Sequence, residues 1–260
     1  RQNMKNDPDN SIQTEGGASV GGNINTQGGD FIGRDKVELN IYPYFTATPH
    51  QLRRSFDALM KDKLQRFVGR KFVFEALDDF LNTYDSGYFI LRGAPGVGKS
   101  AFMAKLVNDR GYFHHFNIAS QNIRSTRAFL ENVIAQLIEH YDLPHNELPP
   151  RAFDDSGFLV QCLNEAVAKH EKPEERIVIA IDALDEANRQ DLGASANILF
   201  LPSSLPDGVY VVATTRPLDD LPLQVAQQKF LDFQEEKYEI CNLEDVTTYI
   251  EYYTKREKLE

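Results

Sequence analysis

Residues 88–108 carry the feature that most constrains this chain. An apolar run, Tyr88-Phe89-Ile90-Leu91, passes directly into Gly93-Ala94-Pro95-Gly96-Val97-Gly98-Lys99-Ser100 and then into apolar residues at helical spacing that begin with Ala101 and Phe102. The octapeptide fits GxxxxGK[ST], and strand, loop and helix in that order are the context in which the pattern has physical meaning. Gly93, Gly96 and Gly98 let backbone N–H groups turn inward around a phosphate without obstruction by a Cβ, and the positive end of the following helix adds its dipole. Lys99 is placed to reach β- and γ-phosphates and the Ser100 hydroxyl to ligate Mg²⁺. The whole stretch from Gly93 through Ala94, Pro95, Val97 and Ser100 to Ala101 is therefore a candidate nucleotide-binding segment.

The rest of the chain supplies a frame for that loop. Tyr112–Phe116, Ile177–Ile181 and Val209–Ala213 read as further buried strands, with helical patterns at Ser100–Val107, Thr126–Tyr141 and Phe158–His170. The alternation predicts an α/β fold, a P-loop three-layer sandwich with a mainly parallel sheet. Ile177–Ile181 is apolar on both faces, as a central parallel strand must be, and it ends in Asp182. A carboxylate at that end of a strand beside the phosphate loop is where Mg²⁺, or a water on it, is held. Asp185 and Glu186 follow within four residues, and their repulsion beside a nucleotide anion calls for a cation or a catalytic task such as polarising the attacking water. The competing reading is charge complementing a helix N-terminus. Val209–Ala213 runs into Thr214-Thr215-Arg216-Pro217, where a polar strand tip can sense the γ-phosphate and Arg216 can neutralise developing charge.

Charge narrows the partners. The 260 residues hold 28 Lys+Arg against 39 Asp+Glu, a net charge of −11, so a nucleic-acid partner would need a local basic patch. The concentration Arg53, Arg54, Lys61, Lys63, Arg66, Arg70 and Lys71 lacks an interleaved aromatic platform and reads as the solvated face of an amphipathic helix, whose apolar side holds Leu52, Phe56, Leu59, Met60, Leu64 and Phe67. No run of about 18 apolar residues exists to span a membrane. Cys162 and Cys241 have neither zinc-site spacing nor disulfide density, which predicts two buried free thiols and a reduced, cytoplasmic compartment. His114 and His115 alternate faces of a strand, predicting one buried and one exposed ring rather than a metal site.

The N-terminal region differs in kind. Seven of the 16 glycines fall in the first 34 residues, and Gly21-Gly22-Asn23-Ile24 recurs seven residues later as Gly28-Gly29-Asp30-Phe31, with a weaker copy from Gly16 to Val20. One apolar residue per unit leaves two readings open: a flexible linker, or small strands stacked between copies of the chain. The start at Arg1 and the end directly after a helical pattern suggest a fragment at both ends.

Taken together, Phe67-Val68-Gly69-Arg70, GAPGVGKS at 93–100, IAIDALDEA at 179–187 and VVATTRP at 211–217 resemble the STAND class of P-loop NTPases, especially its NACHT branch, over about Phe67 to Tyr253. The glycine-rich repeat with Phe31-Ile32-Gly33-Arg34-Asp35 also looks like the leader of bacterial members. The resemblance implies ATP/ADP and Mg²⁺ as cofactors, with phosphate and metal held by Lys99 and Ser100 and supported by Asp182. It implies Val68, Gly69 and Arg70 near adenine, Asp185 and Glu186 as the extra acids, and Arg216 as sensor. It further implies a last strand near Tyr238–Cys241, Asn242 capping a helix over Glu244–Thr254, and a slowly hydrolysing signalling switch that forms a homo-oligomer when ATP is bound and acts in defence or cell-death signalling. The corresponding division is a leader or oligomerisation segment at 1–45, a linking helix at 46–66, the NTPase core at 67–242 and the start of a helical domain at 243–260. Ala183 stands where many related ATPases carry an acid, and no counterpart of the winged helix, sensor repeats or effector domain is recognisable. The alternatives are an AAA-type or origin-recognition-like DNA-associated ATPase and a non-hydrolysing nucleotide scaffold.

Overall fold

The computed structural model describes residues 11–12, 20–21, 48–65, 67–149, 151–172, 174–190, 193, 196–217 and 220–257. The chain divides into two units, Arg1–Phe45 and Thr46–Glu260. In the first, β1 (Ser11–Ile12) and β2 (Val20–Gly21) pair antiparallel. Most of the glycine-rich repeat, the segment Phe31–Asp35 and Arg66 lie outside the described residues.

The second unit is built on a five-stranded sheet of β3 (Gly87–Arg92), β4 (Phe113–Phe116), β5 (Ile177–Asp182), β6 (Val209–Thr215) and β7 (Gln228–Asp232), in the order β4-β5-β6-β3-β7. Every pairing in it is parallel. This is the α/β fold of a P-loop NTPase, as expected from the alternation of apolar runs and helical patterns. Side chains alternate across the strands: Ile179, Val211 and Ile90 enter one core with Phe129, Val133 and Leu163, while Val178, Val212 and Phe89 enter the other with Leu77, Phe80 and Phe102. The first face is covered by α5 (Thr126–Tyr141) and α6 (Gly157–Val167), the second by α3 (Lys71–Thr83) and α4 (Lys99–Arg110). Both faces of the central strands are thus removed from water, which is why the sequence shows them as unbroken apolar runs.

Several expectations need correction. The single linking helix is instead α1 (Pro49–Leu52) and α2 (Asp57–Leu64), separated by a non-helical stretch. The Arg54 N–H donates to the Asn132 side chain at 2.9 Å there, and Phe56 is buried with its ring 5.3 Å from that of Phe116. Burying Phe56 against the sheet outweighs continuing the helix. The 13-residue helix α3, which buries Val73, Leu77, Phe80 and Leu81, adds an element beyond the expected helical patterns.

The last strand is β7 at Gln228–Asp232 rather than near Tyr238–Cys241. As an edge strand it has only one fully buried side chain, Leu231, so no apolar run marks it. Residues 239–241 open α7 (Glu239–Glu257), and Asn242 lies inside that helix instead of capping one that starts at Glu244.

Cys162 is buried, and burial pushes its thiol up to about 12; Cys241 is only half-buried, and neither is in a disulfide. His115 is fully buried, which pushes it down to about 3, but His114 is half-buried rather than exposed. The Gln136 amide pairs with the backbone N–H and carbonyl of His114 at 3.0 and 2.9 Å, satisfying an edge strand that would otherwise offer free hydrogen-bonding groups.

The Ser125 hydroxyl accepts from the Ala128 N–H at 3.1 Å and caps α5. Ser125→Ala is expected to lose about 1 kcal/mol, a fall of roughly 2–4 °C in melting temperature by differential scanning fluorimetry.

Candidate functional site

The carboxyl ends of β3, β5 and β6 and the N-terminus of α4 converge on one edge of the sheet, where a parallel α/β sheet places its ligands. The loop Gly93–Gly98 turns there. Gly96 and Gly98 have φ of +82° and +95°, values that a residue with a Cβ rarely adopts. A Cβ on Gly93 would come within 2.8 Å of Val97 and 3.1 Å of Phe233, so glycine is needed at that position for close packing. The Lys99 ammonium donates to the carbonyls of Gly93 and Ala94 at 2.6 and 3.0 Å, which folds it across the mouth of the loop. Burial lowers its pKa from the usual lysine range and Arg216 adds to that, while Asp185, Asp182 and Asp232 oppose the shift.

Asp182 ends β5 and is 5 % exposed. Its carboxyl accepts from the Thr214 hydroxyl at 2.5 Å and is hydrogen-bonded to the Ser100 side chain. Burial raises its pKa, opposed by those two hydroxyls and by Lys99. The oxygen donors of Asp182 and Ser100 suit a hard cation, and Mg²⁺ commonly takes only one or two protein oxygens, the remainder coming from phosphate and water. Accordingly, no cluster of three or more His, Cys, Asp or Glu poised for a metal occurs among the described residues. The residues fit Mg²⁺ bound together with a nucleotide.

Beyond Asp182 the backbone turns through Ala183 at φ +54° into a short 3₁₀ turn, Leu184–Glu186. Asp185 is held twice by Arg216, through its backbone N–H at 3.0 Å and its guanidinium Nε at 3.0 Å. Glu186 lies 3.7 Å from the same guanidinium and accepts from the Ala119 N–H at 3.2 Å. Lys99, Ser100, Asp182, Asp185, Glu186 and Arg216, distant in sequence, are thus brought to one place.

Phe67, Val68 and Arg70 join Gly96, Val97, Gly98 and Ala101 around a cleft of about 310 Å³ whose far wall is Asp245, Val246 and Tyr249 of α7. Gly69 is not among the lining residues; it faces Asp245, whose Oδ1 would lie 2.0 Å from a Cβ added there. Arg70 ties the parts together. Its N–H donates to Asp245 at 3.0 Å, its guanidinium to the Asn242 side chain at 2.5 Å and to the Val97 carbonyl at 2.6 Å, and it lies over the Phe233 ring. Burial lowers the Arg70 pKa despite Asp245, and burial raises that of Asp245 despite Arg70. Asn242 and Asp245 carry no signal in the sequence, because their partner lies more than 170 positions away.

A larger cleft of about 730 Å³ opens at the opposite edge, near Tyr84, Asp85, Arg176, Asp207 and Gly208. It holds none of the glycine loop, whereas the smaller cleft is lined by Gly96, Val97 and Gly98. The basic stretch is largely neutralised: Arg53 pairs with Glu139, Lys63 with Asp62, Arg70 with Asp245 and Lys71 with Glu75. No helix among the described residues is long and apolar enough to cross a membrane.

The family model described as AAA ATPase domain matches residues 66–212, more than half of the chain. The matched span contains the glycine loop and the turn Asp182–Glu186 and stops before Thr214, Arg216 and α7. No curated protein matches the chain.

Proposed function

The chain belongs to the AAA ATPase domain family, which makes it a nucleotide-binding ATPase domain, and we propose that it is a slowly hydrolysing ATP switch of the STAND/NACHT type whose nucleotide state controls assembly. Gly93–Ala101 cradles the phosphates of ATP or ADP, with Lys99 on the β- and γ-phosphates. Ser100 and Asp182 hold Mg²⁺, which offsets phosphate charge when bound. The cleft bounded by Val68, Arg70 and Asp245 takes the base, and Gly69 lets α7 close on it.

The observation that carries the reading is the double hold of Arg216 on Asp185, with Glu186 beside it. Those acids are the groups able to orient and deprotonate a water, and in this arrangement their charge is offset by a cation. Arg216 must leave Asp185 to meet a γ-phosphate, so acid release and phosphate sensing are one event. A site that rests neutralised favours slow turnover and suits control by nucleotide state.

Replacing both acids, Asp185→Asn with Glu186→Gln, is expected to lower multiple-turnover ATP hydrolysis by about 100-fold or more while ATP still binds. Unchanged turnover would turn the reading towards a scaffold that merely holds nucleotide.

The AAA ATPase match is equally compatible with a DNA-associated ATPase, the second reading. Against it stand the net charge of −11 and the pairing of basic side chains with Glu139, Asp62, Asp245 and Glu75. A salt-sensitive gel shift of duplex DNA at physiological ionic strength would favour it.

A further inference from the structure

We propose that Thr214 is a positioning residue, whose hydroxyl fixes the Asp182 carboxylate for Mg²⁺ and anchors the acidic turn, and that it does not itself touch phosphate. This deepens the proposed function and rests on its assignment of Asp182 to the metal.

Thr214 is completely buried. Its single hydroxyl proton goes to Asp182 Oδ1 at 2.5 Å, and its oxygen accepts from the Ala183 N–H at 2.8 Å. A hydroxyl has one proton to give, so none is left for a phosphate oxygen. The polar strand tip that the sequence suggests as a phosphate sensor is therefore turned inward at Thr214. The exposed member of that tip is Arg216, half of whose side chain faces solvent.

The placement has a structural logic. The backbone pairing of β5 with β6 ends at Ile181 opposite Ala213. One position further on, Asp182 and Thr214 continue the contact through their side chains. Ala183 then adopts φ +54°, a conformation disfavoured for a residue with a Cβ, and its N–H bond to Thr214 secures that turn. Two residues on, just past the end of β6, the Arg216 N–H donates to Asp185. The tip of β6 thus grips the metal carboxylate, the start of the acidic turn and the first of its acids. Losing the Thr214 hydroxyl leaves Ser100 as the remaining hydroxyl partner of the Asp182 carboxyl, which can then shift, and leaves the Ala183 N–H without its acceptor.

The test compares the full chain with Thr214→Val, which keeps the shape without the hydroxyl, Thr214→Ser, which keeps the hydroxyl, and Asp182→Asn. The affinity for a fluorescent ATP analogue is measured with Mg²⁺ and with EDTA, and the Mg²⁺-dependent gain is the readout. Thr214→Val is expected to lose about tenfold or more of that gain with little change in EDTA, and Thr214→Ser to recover it. If Thr214→Val melts below the assay temperature, the comparison of Thr214→Ser with Thr214→Ala decides in the same way. A wild-type gain in Thr214→Val, or an equal loss with and without Mg²⁺ as a direct phosphate contact would give, overturns the inference. If Asp182→Asn abolishes the gain while Thr214→Val does not, only the inference falls. If Asp182→Asn keeps the gain, the assignment of Asp182 to the metal falls and the inference with it.

Discussion

Lys99→Ala is expected to weaken ATP binding by about a hundredfold or more, roughly 3 kcal/mol, in a calorimetric titration with Mg²⁺. The ammonium sits across the loop mouth on the Gly93 and Ala94 carbonyls, and burial there strips part of its hydration and lowers its pKa. Moving from two neutral carbonyls to phosphate oxygens exchanges weak partners for a strong anion, so most of the gain from Lys99 appears only when nucleotide is bound. The melting temperature of the free protein should consequently change little. Full affinity in the mutant would remove the basis for placing phosphate in the loop.

Gly69→Ala is expected to destabilise the chain by about 2–4 kcal/mol and to loosen α7. Two effects add. Gly69 has φ +77°, which strains any residue with a Cβ, and the new Cβ would sit 2.0 Å from Asp245 Oδ1 and 2.4 Å from its Cγ. Asp245 must withdraw, which breaks its bond from the Arg70 N–H and weakens the ion pair at 3.4 Å. Thermal melting should fall by roughly 5–15 °C. Limited proteolysis should reach α7 earlier than in the wild type, and an unchanged cleavage pattern would show that the Arg70–Asp245 contact does not secure that helix.

The glycine loop and Gly69 illustrate what the sequence can and cannot convey. Gly93–Ser100 is legible because its chemistry is local: eight consecutive residues, a strand before and a helix after. Asp182 is legible because an apolar run points at it. Gly69 stands in a recognisable segment, but its immediate reason is the carboxylate of a residue far along the chain, and nothing local specifies that meeting. Similarly, Thr214 and Arg216 look like two polar groups at one strand tip. Burial and hydrogen bonding separate them, one turned to Asp182 and the other to Asp185. β7 escaped the hydrophobic pattern because an edge strand with a single buried side chain has no need of one. The break between α1 and α2 was hidden for the opposite reason: Phe56 keeps helical spacing with its neighbours while its ring is claimed by the sheet.

The central claim is that nucleotide state controls assembly, and the mass of the chain in solution tests it most directly. Light scattering coupled to size-exclusion chromatography, with Mg²⁺ present throughout, compares ADP with a non-hydrolysable ATP analogue. The account predicts a multiple of the subunit mass with the analogue and a smaller species with ADP. The same mass in both states would contradict it.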